Sequence, residues 1–368
     1  MQLAKDDGIN ALNIGLMLVS CMAAFIMPFE VFLFVYAVLG PLHYLTEISW
    51  LHDRQYFTKG KYDNIVLWLI GALIVIESAA IKNQWNWPFE NDFSNKIIFV
   101  ALAGSLLMVF VKNVLIKVIG LMVVLLISNV IFHPDKRNGF VFFIGALLPT
   151  LIHVYVFTGL FILFGALKSR SRSGLFSFAV FIVCPFLLFL LFRDETFVAV
   201  TQYGKDALQA GGEGFFGINV AVLQEIFGVQ FPPLKDAPSN MMMYDNGTPE
   251  LGFSNTANLV FHSQTGILLM RFIAFAYTYH YLNWFSKTEI IRWHKVLKAR
   301  FIAVIILWVV SLILYGYNYD VGLRWLYFLS FCHVLLEFPL NMVSIAGIGK
   351  ELRNITRAGF RSKLAVAK

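Results

Sequence analysis

The chain has 368 residues, of which 58% are hydrophobic and only 14% are charged, and its mean hydropathy is +0.71. Soluble domains carry about 25% charged residues, so this composition excludes a soluble nucleotide-binding enzyme, a secreted disulfide scaffold and a disordered chain. The net charge of +7 does not indicate nucleic-acid binding, because the basic residues lie in short runs between apolar segments. The three cysteines lie inside apolar runs, so no disulfide framework is expected.

Apolar stretches of about twenty residues recur along the whole chain, which is the length that a helix needs to cross a bilayer. Inside lipid the backbone must satisfy its own hydrogen bonds, so each stretch is predicted to be helical. The predicted fold class is an all-α, polytopic integral membrane bundle in contact with the lipid bilayer. The ten predicted spans are Leu12–Pro28, Phe29–Trp50, Asn64–Lys82, Lys96–Lys112, Val114–His133, Gly139–Leu167, Gly174–Arg193, Ser263–Phe285, Arg300–Tyr317 and Val321–Gly347.

The distribution of charge predicts the orientation of these spans. Basic residues concentrate in the segments 51–63, 168–173 and 286–299 and in the C-terminal tail, and with ten spans all four fall on one side. Excess Lys and Arg mark the cytoplasmic side. We therefore expect a multi-pass membrane protein with both termini cytoplasmic.

Four parts follow from this plan. Residues 1–193 form spans one to seven, and residues 194–262 form a non-cytoplasmic loop or small cap on which a partner could dock. A short amphipathic helix at the membrane surface is predicted over Ile218–Phe227. Residues 263–347 form spans eight to ten, and residues 348–368 form a basic cytoplasmic tail.

Four of the eight histidines lie inside predicted spans: His43, His153, His280 and His333. Counted from the outer ends of their spans they differ by five residues at most, which corresponds to ~7–8 Å of depth. A polar ring in lipid must find a partner. The four rings are therefore predicted to form one metal site. The other four are expected to be solvated or interfacial: His52, His133, His262 and His294.

Two carboxylates accompany these histidines, Glu47 four residues after His43 and Glu337 four residues after His333. Residues four apart project from the same face of a helix. The two glutamates can accept the second ring N–H of a metal-bound imidazole, act as ligands themselves, or carry protons. Imidazole with carboxylate suits iron, manganese or zinc, and iron fits best where the site handles oxygen. Glu77 is predicted near the outer end of its span, within reach of water, and is not assigned to the site.

Aromatic residues flank these positions and are predicted to form an apolar wall for an extended, lipid-like substrate. Tyr279 is expected to take part in the chemistry together with the two glutamates. The aromatic residues are Tyr44, Trp50, Tyr155, Tyr277, Tyr279, Tyr281, Trp284, Phe331 and Phe338.

The four histidine segments resemble the motifs of the Brp/Blh family of membrane-embedded β-carotene cleavage dioxygenases. The segments are 40–47, 151–158, 279–284 and 331–337. The order and the single histidine of each element match the family, whereas Glu47 stands for an aspartate and Thr158 for an acid. The resemblance implies an iron-dependent oxygenase whose histidines hold the metal in a buried site open to the cytoplasm. The localisation expected from this family resemblance is a bacterial inner or cell membrane.

The leading hypothesis is a metal-dependent oxidoreductase that acts on a lipophilic, polyene or isoprenoid, molecule. Four alternatives stay open: an electron carrier with one bis-histidine haem, a transporter that relays protons through the His/Glu pairs, a membrane acyltransferase with one histidine as base, and a structural subunit.

Overall fold

The computed structural model describes residues 2–89, 93–132, 139–190, 198, 200–210, 215–230 and 249–360, and its regular elements there are all helical. A 3₁₀ turn lies at Gln55–Phe57 and a π-helix at Phe143–Phe157. The α-helices are α1 (Gln2–Ile26), α2 (Pro28–Asp53), α3 (Asp63–Lys82), α4 (Phe93–Phe110), α5 (Val114–Ile131), α6 (Gly139–Phe142), α7 (Thr158–Ser169), α8 (Arg172–Leu190), α9 (Gln202–Ala210), α10 (Phe215–Glu225), α11 (Pro249–His262), α12 (Gln264–Ser286), α13 (Thr288–Ile291), α14 (Lys298–Tyr317), α15 (Tyr319–Trp325) and α16 (Tyr327–Ala358).

The predicted all-α architecture is confirmed for this part of the chain. Within the described residues, nine helical stretches are long and apolar enough to cross a membrane, and a tenth span results if the pair Thr256–His262 and Gln264–Ser286, bent by 62°, is counted as one. This range of nine to ten agrees with the ten predicted spans.

The ends of several helices follow from their sequence. Pro28 occupies the first turn of α2, where its missing N–H needs no partner, and Met27 separates α2 from α1. Asn113 caps α5 by accepting a hydrogen bond from the Ile116 N–H at 3.2 Å. Ser263 caps α12 in the same way, because its hydroxyl oxygen accepts a hydrogen bond from the Gly266 N–H at 3.0 Å.

The last predicted span, Val321–Gly347, is wrong at both ends. Asn318 caps the short helix α15, which ends at Trp325, and Leu326 separates it from α16. Helix α16 then continues to Ala358, through a segment predicted as tail. At 1.5 Å per residue its 32 residues extend about 48 Å, longer than a hydrocarbon core of about 30 Å. Tail residues 361–368 lie outside the described residues.

The segment 194–262 contains helices rather than only a loop. Helix α10 covers most of the predicted helix at 218–227, but its apolar side is buried by protein: Phe216 packs on Phe261 of α11, and Leu223 is fully buried. Helices α11 and α12 thus offer α10 a protein surface, and a position at the membrane surface stays a prediction.

The helices α2, α12 and α16 form the centre of the bundle. In the apolar window of α2, 61% of the residues are buried, compared with 11% in α5. Helix α12 packs along α2, and α16 packs against α2, α3, α4 and α7. Polar side chains on these central helices therefore face one another instead of lipid.

Candidate metal centre

The four predicted intramembrane histidines meet in the middle of the bundle. Their rings form a closed circuit, with centroids 4.6 Å apart for His43 and His280, 5.0 Å for His280 and His153, 5.0 Å for His153 and His333, and 5.6 Å for His333 and His43. None of the four is more than 7% exposed. Four separate elements thus place one imidazole each at a single buried centre.

The nitrogen atoms of this circuit lie close enough to share an ion. His43, His153 and His333 each offer one nitrogen within 4.8 Å of the other two. His280 Nε2 lies 3.0 Å from His43 Nε2. Nitrogens bound at about 2.0–2.1 Å to one metal ion lie roughly 3–4 Å apart, so the cluster has the dimensions of a site for one ion.

Three of the four rings have a polar partner close to Nδ1. His280 Nδ1 is hydrogen-bonded to Thr158 Oγ1 at 2.8 Å, and His333 Nδ1 lies against the Ser330 carbonyl, to which it donates. His153 Nδ1 lies 2.9 Å from Glu337 Oε2, in ion-pair contact. An imidazole whose Nδ1 carries the proton leaves a lone pair on Nε2. Both ring nitrogens of His153 are buried and neither has a hydrogen-bond partner among the described residues, so its Nε2 is available to a metal ion.

The carboxylates of Glu47 and Glu337 are 2% and 1% exposed. Glu47 Oε2 lies 3.1 Å from Nε2 of His43, the neighbour on its own helix that the spacing predicts. Glu337 differs from expectation, because it contacts His153 of the π-helix rather than His333 of its own helix. Both contacts are close, although neither has the angles of a hydrogen bond.

His153 lies in the π-helix, whose turns each hold more residues than those of an α-helix. Such segments are rare and frequently occur at functional sites. Pro149 inside this segment lacks an N–H and weakens the regular ladder there. The α-helical path resumes at Thr158, the residue that holds His280.

Two residues have contacts at the centre that the sequence does not predict. Thr158 is predicted only to stand in place of an acid, yet it is the partner of His280. Trp284, predicted as part of the aromatic wall, contacts the cluster itself. Trp284 Nε1 donates to Thr46 Oγ1 at 3.0 Å, and its ring centroid lies 5.4 Å from that of His43. The spacing of Trp284, four residues after His280, is the signal that could have placed it at the centre.

The structure places Tyr279 apart from the four imidazoles. Its hydroxyl donates to Asn13 Oδ1 of α1 at 3.0 Å, and its ring packs on Phe181. Adjacent residues in an α-helix point about 100° apart, so Tyr279 faces away from the centre that His280 faces. Tyr281 and Tyr44 contact the cluster instead, with centroids 5.2 Å from His43 and 5.7 Å from His333.

The other titratable predictions have mixed outcomes. His52, His262 and His294 are exposed, as predicted, and His133 lies outside the described residues. Glu77 does not reach water: it is 2% exposed and accepts a hydrogen bond from the Ser94 hydroxyl. Helix α4, which carries Ser94, covers that end of α3.

The fold and the centre together define a class of protein, a multi-span helical bundle with a buried histidine–carboxylate cluster. Comparison with protein families, curated proteins and solved structures gave no match to this chain. The resemblance to the Brp/Blh family therefore stays a prediction from the four histidine segments.

Proposed function

We propose that this protein is a membrane-embedded, non-haem metal oxidoreductase, with iron as the ion that fits best and a lipophilic molecule as the substrate. The observation that carries the proposal is the buried circuit of four imidazoles, three of which have a polar partner close to Nδ1. Among metal oxidoreductases, the four histidine segments favour an oxygenase that acts on a polyene or isoprenoid.

The two carboxylates favour a bound cation. Burying an ionised carboxylate is costly unless it is paired, and the ion pairs of Glu47 and Glu337 among the described residues are with His43 and His153. Neutral imidazoles give little compensation. A dication at the centre of the circuit would balance both negative charges.

The donor set favours iron or manganese, with zinc as a further candidate. It consists of imidazole and carboxylate, and the thiol of Cys332 points instead toward Gly71 of α3. Iron in such a site would supply redox chemistry and oxygen binding. The residues of the chain would hold the ion through the four Nε2 atoms, keep the rings oriented through Thr158, Ser330 and Glu337, and exclude water with Tyr44, Tyr281 and Trp284.

The buried position of the centre favours a lipophilic substrate. The centre is enclosed by central helices and bordered by aromatic rings, so a hydrated molecule would have to lose its water to reach it. An apolar molecule pays no such cost and can be recruited from the bilayer.

The close contact of His43 and His280 argues against the haem alternative. A porphyrin between two axial imidazoles would hold their nitrogens farther apart than a hydrogen bond, whereas these Nε2 atoms are 3.0 Å apart. The visible spectrum of the purified protein tests this directly, because a strong Soret band would contradict a non-haem centre.

Metal analysis of the purified protein tests the proposal. We expect about one iron, manganese or zinc ion per chain, and loss of most of it when His43, His153, His280 or His333 is changed to alanine, because each loss opens a coordination position. The exposed His294 provides the matched control, and His294→Ala should retain the ion. A wild-type protein free of metal after purification and reconstitution, or full occupancy in all four variants, would refute the proposal.

A further inference from the structure

The two glutamates of the centre occupy different positions relative to the imidazoles. We infer that Glu47 is a fifth protein ligand of the metal ion, whereas Glu337 does not touch the ion and positions His153 from behind. The inference rests on the proposed metal site and specifies its donor set as four nitrogens and one oxygen.

Glu47 lies on the inner side of the circuit. Its Oε2 is 3.1 Å from His43 Nε2, and the same Nε2 is 3.0 Å from His280 Nε2. Two donors at right angles on one ion, each bound at about 2.1 Å, are about 3.0 Å apart. Both separations match that value, so His43 Nε2 has a nitrogen and an oxygen beside it at the spacing of neighbouring ligands.

Without a cation this arrangement is poorly satisfied. Glu47 Oε2, like Glu337 Oε2, is buried and lacks a hydrogen bond although it lies against a ring nitrogen; the two glutamates differ in that the ring nitrogen beside Glu47 also lies next to His280 Nε2. One ring N–H cannot serve both His280 Nε2 and Glu47 Oε2 with good alignment. A cation in front of the three atoms would satisfy all of them at once.

Glu337 lies on the outer side of the circuit. Its Oε2 is 2.9 Å from His153 Nδ1, and Nε2 lies on the far edge of the same ring. Neither of these ring nitrogens has a hydrogen-bond partner in the described part of the chain, so the contact of Glu337 is an ion pair with the outer nitrogen. This is the position of a carboxylate that orients a metal-bound histidine and raises its basicity. The glutamate therefore acts on the ion only through the ring.

A consequence concerns the room left at the ion. Iron and manganese accept such mixed nitrogen and oxygen sets, and five protein donors would leave room at the ion for one further small ligand. A single small molecule such as dioxygen can be that ligand. The organic substrate must then be held by the surrounding apolar side chains rather than by the ion.

Cobalt(II) substitution of the purified full-length protein tests the inference, because its visible ligand-field bands report the donors directly. We expect Glu47→Gln to shift these bands and to lower cobalt affinity by more than about 100-fold, because loss of a direct ligand costs more affinity than loss of a residue that only orients a ligand. Glu337→Gln should lower affinity by only about 10–100-fold and keep the band pattern. Glu30 of α2, which accepts the Thr201 N–H at 2.8 Å, is the matched acid, and Glu30→Gln should change neither quantity.

The outcomes separate this inference from the proposed function. If the wild type binds cobalt and Glu47→Gln leaves the bands unchanged, Glu47 is not a ligand and the inference fails while the metal site stands. If Glu337→Gln alone shifts the bands, the two roles are reversed and the inference fails as well. If the wild type binds neither cobalt nor iron, the metal site itself is refuted. Glu47→Asp, which keeps the carboxylate, should recover part of the affinity lost in Glu47→Gln and so exclude misfolding as the cause.

Discussion

Thr158 orients one imidazole of the centre through a single hydrogen bond. It is 1% exposed, and its hydroxyl fixes the edge of the His280 ring that faces away from the other imidazoles. Without this contact the buried Nδ1 would lose its partner, and the ring would be free to turn.

Thr158→Val should therefore weaken metal binding by about 10–100-fold, since valine has the same shape but no hydroxyl. Competition titration with a chelator measures the change, and Thr158→Ser should bind the ion nearly as well as the wild type. Thr278 on α12 provides the control: its Oγ1 is buried without a hydrogen-bond partner, so Thr278→Val removes nothing that the ring uses. Equal affinities for Thr158→Val and Thr278→Val would show that the hydroxyl does not orient His280.

At the residue scale, the sequence predicts contacts within one helix better than contacts between helices. The i,i+4 step from His43 to Glu47 correctly places these side chains together. The identical step from His333 to Glu337 does not, because the rotation of α16 against the π-helix turns Glu337 toward His153. That rotation depends on packing across several helices and leaves no signal in the local spacing.

The contact of α3 with α16 shows how an element positions a ligand. Gly71 of α3 faces Cys332 of α16, and a methyl group at position 71 would collide with the Cys332 sulfur. Cys332 directly precedes His333, so a displacement of Cys332 would also shift the backbone of His333, a candidate metal ligand.

We expect Gly71→Ala to destabilise the protein by about 1–3 kcal/mol through overpacking and to weaken metal binding at the same time. Thermal unfolding in detergent and metal titration measure the two effects. In the double variant Gly71→Ala/Cys332→Ala the sulfur is absent, so much of the lost stability and of the lost metal affinity should return. Gly165 on α7 has open space around its Cα, so Gly165→Ala should not destabilise the protein. Failure of Cys332→Ala to rescue would mean that the collision is not the cause.

At the element scale, hydropathy correctly places most of the long apolar helices, whereas their breaks depend on other forces. The interruption at Leu326 and the 62° bend before Gln264 lie within or beside apolar sequence, where hydropathy does not change sign. The burial of α10 likewise requires the surface that α11 and α12 offer, which no pattern within α10 reveals.

The orientation of the whole molecule is a prediction from its basic segments. Cysteines introduced at Lys61 and Tyr203, both exposed, would lie on opposite sides of the membrane if both termini are cytoplasmic. In a background with Cys21, Cys184 and Cys332 replaced by alanine, a membrane-impermeant maleimide should label intact spheroplasts at Tyr203→Cys but not at Lys61→Cys. After lysis both should react, which controls for accessibility. Labelling only at position 61 in intact spheroplasts would reverse the topology.

The π-helix makes the height of His153 in the bundle depend on an uncommon backbone form. Its turns are wider than those of an α-helix, so its 15 residues advance less along the helix axis than the same residues would in an α-helix. In an ordinary α-helix the same residues would form a longer, narrower rod, and His153 would no longer lie level with the other three rings. The convergence of the four imidazoles therefore depends on the width of these turns.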